Sequence, residues 1–212
     1  MIKKALEKYS DQPSFRAAIQ GLLLLVDPAG ASSVGENWLA GYGTRLQNQR
    51  LTKLIEVIEL RLKDVEELTV LLTDELYDLF RAASEGSVKT GSEEKIERFA
   101  NILANKVLDQ GTDWDEAQMA VSILSSLEDV HFEVLLYSKD NPNFLINDRS
   151  PIYSSLSRYK EEIVRAACFQ LIANGLLQEE QLSGRYIGQQ PECYKLSSTG
   201  MWFLGWISEQ VD

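Results

Sequence analysis

Residues 161–175, EEIVRAACFQLIANG, read as a helix that carries its own stop, and the order of elements around them sets the fold. Gly175 stands where a left-handed residue closes a helix, a conformation that glycine reaches without steric cost. The chain beyond it is short and strand-like. Leu176-Leu177-Gln178 and Cys193-Tyr194-Lys195-Leu196 can pair as an antiparallel ribbon around a loop holding Gly184, Gly188 and Pro191. Ser198 or Thr199 then starts a last helix, MWFLGWISEQ, weakened slightly by Gly200 and Gly205 and anchored by its three aromatics. A shorter helical segment near Ile152–Leu156 precedes residue 161. Helix, helix, ribbon, helix is the order of a winged-helix-like module, and it is expected over residues 129–212.

Upstream, the apolar residues keep a helical period. Val130, Val134 and Tyr137 lead to a loop at Lys139–Asn143, and Ala117, Val121 and Leu124 come after a polar start at Asp113 and Glu116. Thr90 to Glu93 has capping-box spacing and opens a helix with Ile96, Phe99, Ala100, Leu103 and Val107 on one face, stopped by Gly111. Thr73-Asp74-Glu75 supplies a cap and early negative charge for a helix to about Ser84, after which Glu85–Gly91 (EGSVKTG) reads as a loop. Leu51, Ile55, Ile58, Leu62 and Val65 form one helical stripe and are the candidate self-association face. Ile58, Leu60 and Leu62 also alternate with charged residues as in a half-buried strand. The helix is preferred because strong helix formers flank the stretch and Glu59 precedes Lys63 by four residues. Residues 27–35 (DPAGASSVG) read as a loop, and Phe15–Val26 (FRAAIQGLLLLV) as a buried helix too short for the roughly 20 apolar residues of a membrane span. The fold class expected is mainly α, a helical bundle over residues 1–128 joined to the winged-helix-like module.

Net charge is −11, and both parts are acidic: residues 1–128 carry 14 basic and 21 acidic side chains, residues 129–212 carry 7 and 11. Phosphate backbones repel such a balance, so nucleic acid is disfavoured as a partner. Two isolated cysteines, Cys168 and Cys193, and no signal-peptide pattern predict a reducing, cytoplasmic setting. With His131 the single histidine, no zinc cluster of cysteine and histidine can be assembled, and no cofactor is expected.

Residues 99–103 (FANIL), 123–127 (ILSSL) leading to Val134-Leu135, Leu171, Gly175-Leu176-Leu177 and 194–200 (YKLSSTG) with Phe203 together resemble the bacterial Abi-alpha group of helical proteins. The resemblance spans under half the chain and rests on architectural residues. It implies a bacterial or phage setting with a role in defence, and no catalytic or binding residue is carried over.

Residues that suggest chemistry have simpler readings. The 30–35 loop, GASSVG, lacks both the Gly-Lys-Ser/Thr ending of a phosphate cradle and the spacing of a nucleophile turn. His131 lies near Asp129 and Glu133 without an identifiable nucleophile, and Asp113, Asp115 and Glu116 suit a helix start as well as a hard cation. Catalytic, cofactor and metal residues are therefore expected to be none. The expected function is non-enzymatic protein interaction, with a protein partner or a homo-oligomer. The alternatives are DNA binding through Arg158, Lys160, Arg165 and Arg185, and membrane action through Phe15–Val26.

Overall fold

The structure is a computed structural model, and it describes residues 38–62, 73–108, 113–146, 150–180 and 192–208. Among these the protein is mainly helical with a small three-stranded antiparallel sheet toward the C-terminus. Helices are α1 (Trp38–Leu62), α2 (Asp74–Lys89), α3 (Glu93–Leu108), α4 (Trp114–Ser126), α5 (Asp129–Asp140), α6 (Pro151–Ser155), α7 (Glu161–Ala173) and α8 (Ser198–Ile207). Strands are β1 (Phe144–Ile146), β2 (Leu177–Glu180) and β3 (Glu192–Leu196). The expectations for the Phe15–Val26 helix, the 27–35 loop, Val65, the Gly111 stop, Arg185 and the ribbon loop fall on residues outside those described.

Two compact units emerge. The first ends at Ser125 and includes Ile207 and Ser208, and the second runs from Ser126 to Trp206. The sequence placed the division at 128/129 and gave the whole C-terminus to the second part. Three hydrogen bonds lie within the units beside these boundaries. Gln170 Nε2 donates to the Ser126 carbonyl at 3.2 Å, while Asn101 and Asn105 Nδ2 donate to the carbonyls of Ile207 and Ser208 at 2.9 and 3.2 Å. Arg61 Nε donates in turn to Asn101 Oδ1, so this buried amide is satisfied at both ends, as burial requires.

In the first unit α1, α2 and α3 pack against one another. Leu54, Val57, Ile58 and Leu62 of α1 are buried, with Leu79, Phe80 and Ala83 of α2 and Ile96, Phe99, Ala100 and Leu103 of α3. Residues 58–62 are thus helical, and the strand alternative fails because this face is covered by two helices. Thr73 caps α2 by accepting from Leu76 N at 3.2 Å, and the Glu75 backbone N–H and Thr73 hydroxyl hold the Glu75 carboxyl below its ordinary range.

Helix α2 runs five residues past its expected end at Ser84, through most of the segment read as a loop. Gly86 explains why. A Cβ there would lie 2.4 Å from the Phe99 ring, so the glycine that weakens the helix locally is what lets α3 seat its largest buried side chain against α2. Ser92, rather than Thr90, starts α3: its Oγ accepts from Lys95 N at 3.2 Å, and Thr90 Oγ1 accepts from Ser92 N at 3.1 Å. Asp113 similarly accepts from Asp115 N before α4.

The second unit is built on the end of α7. Gly175, at φ +71°, closes the helix with paired bonds, Leu176 N to Leu171 O and Gly175 N to Ile172 O, both 2.8 Å. The chain then turns into β2, which pairs with β3 in the register Leu177↔Leu196 to Glu180↔Cys193. Strand β1, absent from the sequence reading, pairs with the other edge of β3, Phe144 opposite Tyr194 and Ile146 opposite Glu192. Three residues are too few to display a period of two. Asn143 at φ 62° turns the chain into β1, a conformation asparagine tolerates better than most residues. The Phe144 ring meets Tyr137 of α5 edge-on at 5.6 Å and Tyr194 of β3 at 5.8 Å, tying α5 to the sheet.

Ser197 caps α8, accepting from Gly200 N at 2.9 Å while its hydroxyl donates to Gly175 O at 2.6 Å. A Cβ at Gly200 would lie 2.2 Å from the Leu176 carbonyl oxygen, whereas one at Gly205 would meet nothing within 4 Å. Gly200→Ala is expected to lose about 1–3 kcal/mol by overpacking a backbone contact. Gly205→Ala is expected to gain about 0.5–1 kcal/mol from helix propensity, and urea unfolding of the two variants checks the opposite signs. Ile58→Glu buries a carboxylate in the first unit and is expected to abolish cooperative unfolding, because the penalty of several kcal/mol approaches a domain's whole stability of about 5–15 kcal/mol. A folded variant that differs from the parent only in oligomeric state would instead place Ile58 on a shared face.

Candidate interaction surface

Helix α7 exposes one side and buries the other. Val164, Ala167, Cys168 and Leu171 point into the second unit, where α7 packs against α5 and β2. Ile163, Ala166, Phe169 and Ala173, at spacings of three, three and four, are exposed. Ile163 is 46% exposed and Phe169 49%, so two of the helix's large apolar groups are presented rather than packed. Periodicity separates two faces of a helix, but with apolar residues on both it does not say which face is covered.

The candidate DNA-binding residues that are described, Arg158, Lys160 and Arg165, stand among carboxylates. The Arg158 guanidinium forms an ion pair with Glu133 of α5 and lies 4.9 Å from the Tyr159 ring, and Tyr159 OH also donates to Glu133 Oε1 at 3.1 Å. Lys160 is the exposed N-cap of α7, its carbonyl accepting from Ile163 N and Val164 N. Arg165 is exposed on α7, and Arg185 lies outside the described residues. Between them stand Glu161 and Glu162, exposed in the first turn of the helix. Carboxylates there favour the helix dipole and repel phosphate.

Along the α1 stripe, Ile58 and Leu62 are buried at 1% and 6% exposure, while Leu51 and Ile55 are half-buried. Its lower half is already covered by the chain's own helices, leaving Leu51 and Ile55 for any contact with another copy. Leu60, on the other side of the helix, is the exposed apolar group of this turn.

His131 is buried, and each ring nitrogen has a protein partner. Nδ1 accepts from Glu128 N at 2.9 Å, and Nε2 donates to Gln170 Oε1 at 3.0 Å. The ring thereby serves as a cap for α5 and a tie to α7. Asp113, Asp115 and Glu116 occupy a helix start, and no group of three or more potential metal ligands occurs among the described residues. Cys168 and Cys193 are buried and not disulfide-bonded.

No family model matches the chain, and neither does any curated protein or solved structure.

Burial pushes the Cys193 thiol above its ordinary range, Glu180 adds to the rise, and Lys195, ion-paired with Glu180, opposes it. Because the folded group holds its proton more tightly than the unfolded one, its contribution to stability is intact below the ordinary thiol range. It falls away as pH climbs through that range toward the folded value. Urea melts from neutral to alkaline pH should therefore show a loss of stability that is smaller in Cys193→Ala, and the native thiol should react slowly with a disulfide reagent until the protein unfolds.

Proposed function

We propose that this chain is a non-enzymatic interaction protein in which residues 126–206 form a winged-helix module that contacts a protein through the outward face of α7. The order α5, β1, α6, α7, β2, β3, with strands arranged β1-β3-β2, supports the winged-helix reading. In that arrangement α6 and α7 stand as the helix pair whose second member makes the contacts. The observation that carries the function is the half exposure of Ile163 and Phe169 on that second helix. Large apolar groups at the centre of a presented face characterise protein-contact sites, whereas groove-reading helices present arginine, lysine and amide side chains. The engagement of Arg158 by Glu133 and the carboxylates of Glu161 and Glu162 add to the case against phosphate.

A cytoplasmic location, a homo-oligomeric state and a bacterial or phage-defence setting remain part of this reading, the last through the Abi-alpha resemblance. Several of the residues that carry it have structural duties: Asn101 seats the Ile207 carbonyl, Gly175 closes α7, and Gly200 admits the Leu176 carbonyl. No helix among the described residues is long and apolar enough to cross a membrane, and the 15–26 segment lies outside them.

The purified chain is expected to give no shift of a DNA duplex at any salt concentration. A shift that weakens steeply with salt and disappears in Arg165→Ala would move the function to nucleic acid. A photo-reactive benzophenone side chain at position 169 is expected to capture protein adducts in expressing cells. The same group at position 178, exposed on β2, serves as the control, and equal adduct patterns would remove α7 as the contact face.

A further inference from the structure

We propose that Asn174-Gly175, at the closed end of α7, is a site of spontaneous deamidation by water, and that the closure of the helix holds the reaction back. The chemistry needs a backbone nitrogen that can reach the side chain before it. The nitrogen of the following residue attacks the asparagine Cγ and gives up its proton, the bond from Cγ to the side-chain nitrogen breaks, and ammonia leaves a five-membered imide. Water then opens the ring at either carbonyl, giving aspartate or isoaspartate without an oxidant, a reductant or an enzyme. Glycine in the second position favours the attack, because no Cβ crowds its nitrogen and its backbone is the most free. Asn174-Gly175 is the one Asn-Gly pair in the sequence. Both residues are exposed, and even a Cβ at Gly175 would meet nothing within 4 Å, so water reaches the site. The other described asparagines are less suited. Asn101 and Asn105 are buried with their amides bonded to the carbonyls of residues 207 and 208. Asn141 precedes a proline, which has no N–H to give up, and Asn143 precedes the bulky Phe144.

The folded geometry opposes the step in three ways. Ring closure requires the Gly175 nitrogen to eclipse Asn174 Cβ about the Cα–C bond, but at ψ 0° it eclipses the Asn174 backbone nitrogen instead. The Gly175 N–H that must be given up is donated to the Ile172 carbonyl at 2.8 Å. The peptide beyond is also held: Leu176 N donates to Leu171 O at 2.8 Å, and Ser197 Oγ donates to Gly175 O at 2.6 Å and lies 3.0 Å from Leu176 O. Attack therefore waits for a local opening of the helix end, and the rate in the folded chain is scaled down by the population of that open form. The product then undoes the closure that delayed it. Isoaspartate carries the main chain through the side-chain methylene and adds one backbone atom before Gly175, so the paired bonds from Gly175 N and Leu176 N lose their register. Either product places a carboxylate at the C-terminal end of α7, where the helix dipole repels it. The same turn carries the Leu176 carbonyl to Ser197, so the change loosens the joint between α7, β3 and α8.

The test incubates the full chain at mildly alkaline pH in water enriched in oxygen-18, once folded and once in urea, and then digests it with trypsin in ordinary water. Cleavage after Arg165 and Arg185 releases residues 166–185, in which Asn174 is the one asparagine. Fragment masses locate the incorporated oxygen, and methylation by an isoaspartate methyltransferase reports the rearranged product. In urea the label is expected at residue 174, with isoaspartate among the products. The folded chain is expected to convert at least about tenfold more slowly, and hydrogen exchange at the Gly175 amide and conversion should rise together as urea is added below the unfolding transition. Asn174→Gln, whose longer side chain closes the ring far less readily, is expected to leave residue 174 unlabelled. Absence of label at residue 174 of the parent in urea would overturn the site. Equal rates in the folded and urea-unfolded chain, or Gly175 exchange that rises while conversion stays constant, would overturn the closure of α7 as what holds the reaction back.

Discussion

The second unit turns on one backbone oxygen, the carbonyl of Leu176. It accepts from Ser197 N at 3.1 Å and from Ser197 Oγ at 3.0 Å, and it occupies the space that a side chain at residue 200 would fill. The end of α7, the end of β3 and the start of α8 are thereby held together at one point. Each of the three residues that make this possible has its own constraint. Gly175 adopts the positive φ that ends α7, Ser197 joins the two segments through its hydroxyl, and Gly200 has no Cβ to strike the oxygen. Shifting any of them would rotate α7 against the sheet and change which of its residues face outward.

That orientation matters because α7 is apolar on two sides. Val164, Cys168 and Leu171 are buried by packing against α5 and β2, and the same packing leaves Ile163 and Phe169 presented. The bond from His131 to Gln170 and the bond from Gln170 to Ser126 fix the rotation of α7 about its own axis from the α5 side. The exposed apolar side of α7 is thus a consequence of how the unit closes. The functional reading and the junction at Leu176 rest on the same geometry.

In the first unit a comparable role falls to α3. Its apolar side carries Phe99 against Gly86, and its polar side carries Lys95, Asn101, Asn105 and Lys106, all buried. Lys95 donates to the Ser125 carbonyl, Lys106 lies 4.4 Å from the Trp114 ring, and the two asparagines bond the carbonyls of residues 207 and 208. Buried amides and ammonium groups tolerate burial only with such partners, so their positions specify one arrangement of the neighbouring backbone.

Residues close together along the chain encode the helical class, the helix beginning near Thr73, the polar start at Asp113, the stop at Gly175 and a ribbon read at 176–178 and 193–196 and found at 177–180 and 192–196, so these were legible without coordinates. The acidic balance that disfavours phosphate was legible in the same way. Packing between distant segments settled the rest: α2 continues through Gly86, residues 144–146 form a third strand, and Ile163 and Phe169 face outward while Ile58 and Leu62 face in. One cause underlies all three. Local propensity and period reach only a few residues along the chain, whereas the survival of a helix at a glycine, the pairing of a three-residue strand and the covering of one apolar face rather than another depend on which remote segment packs there.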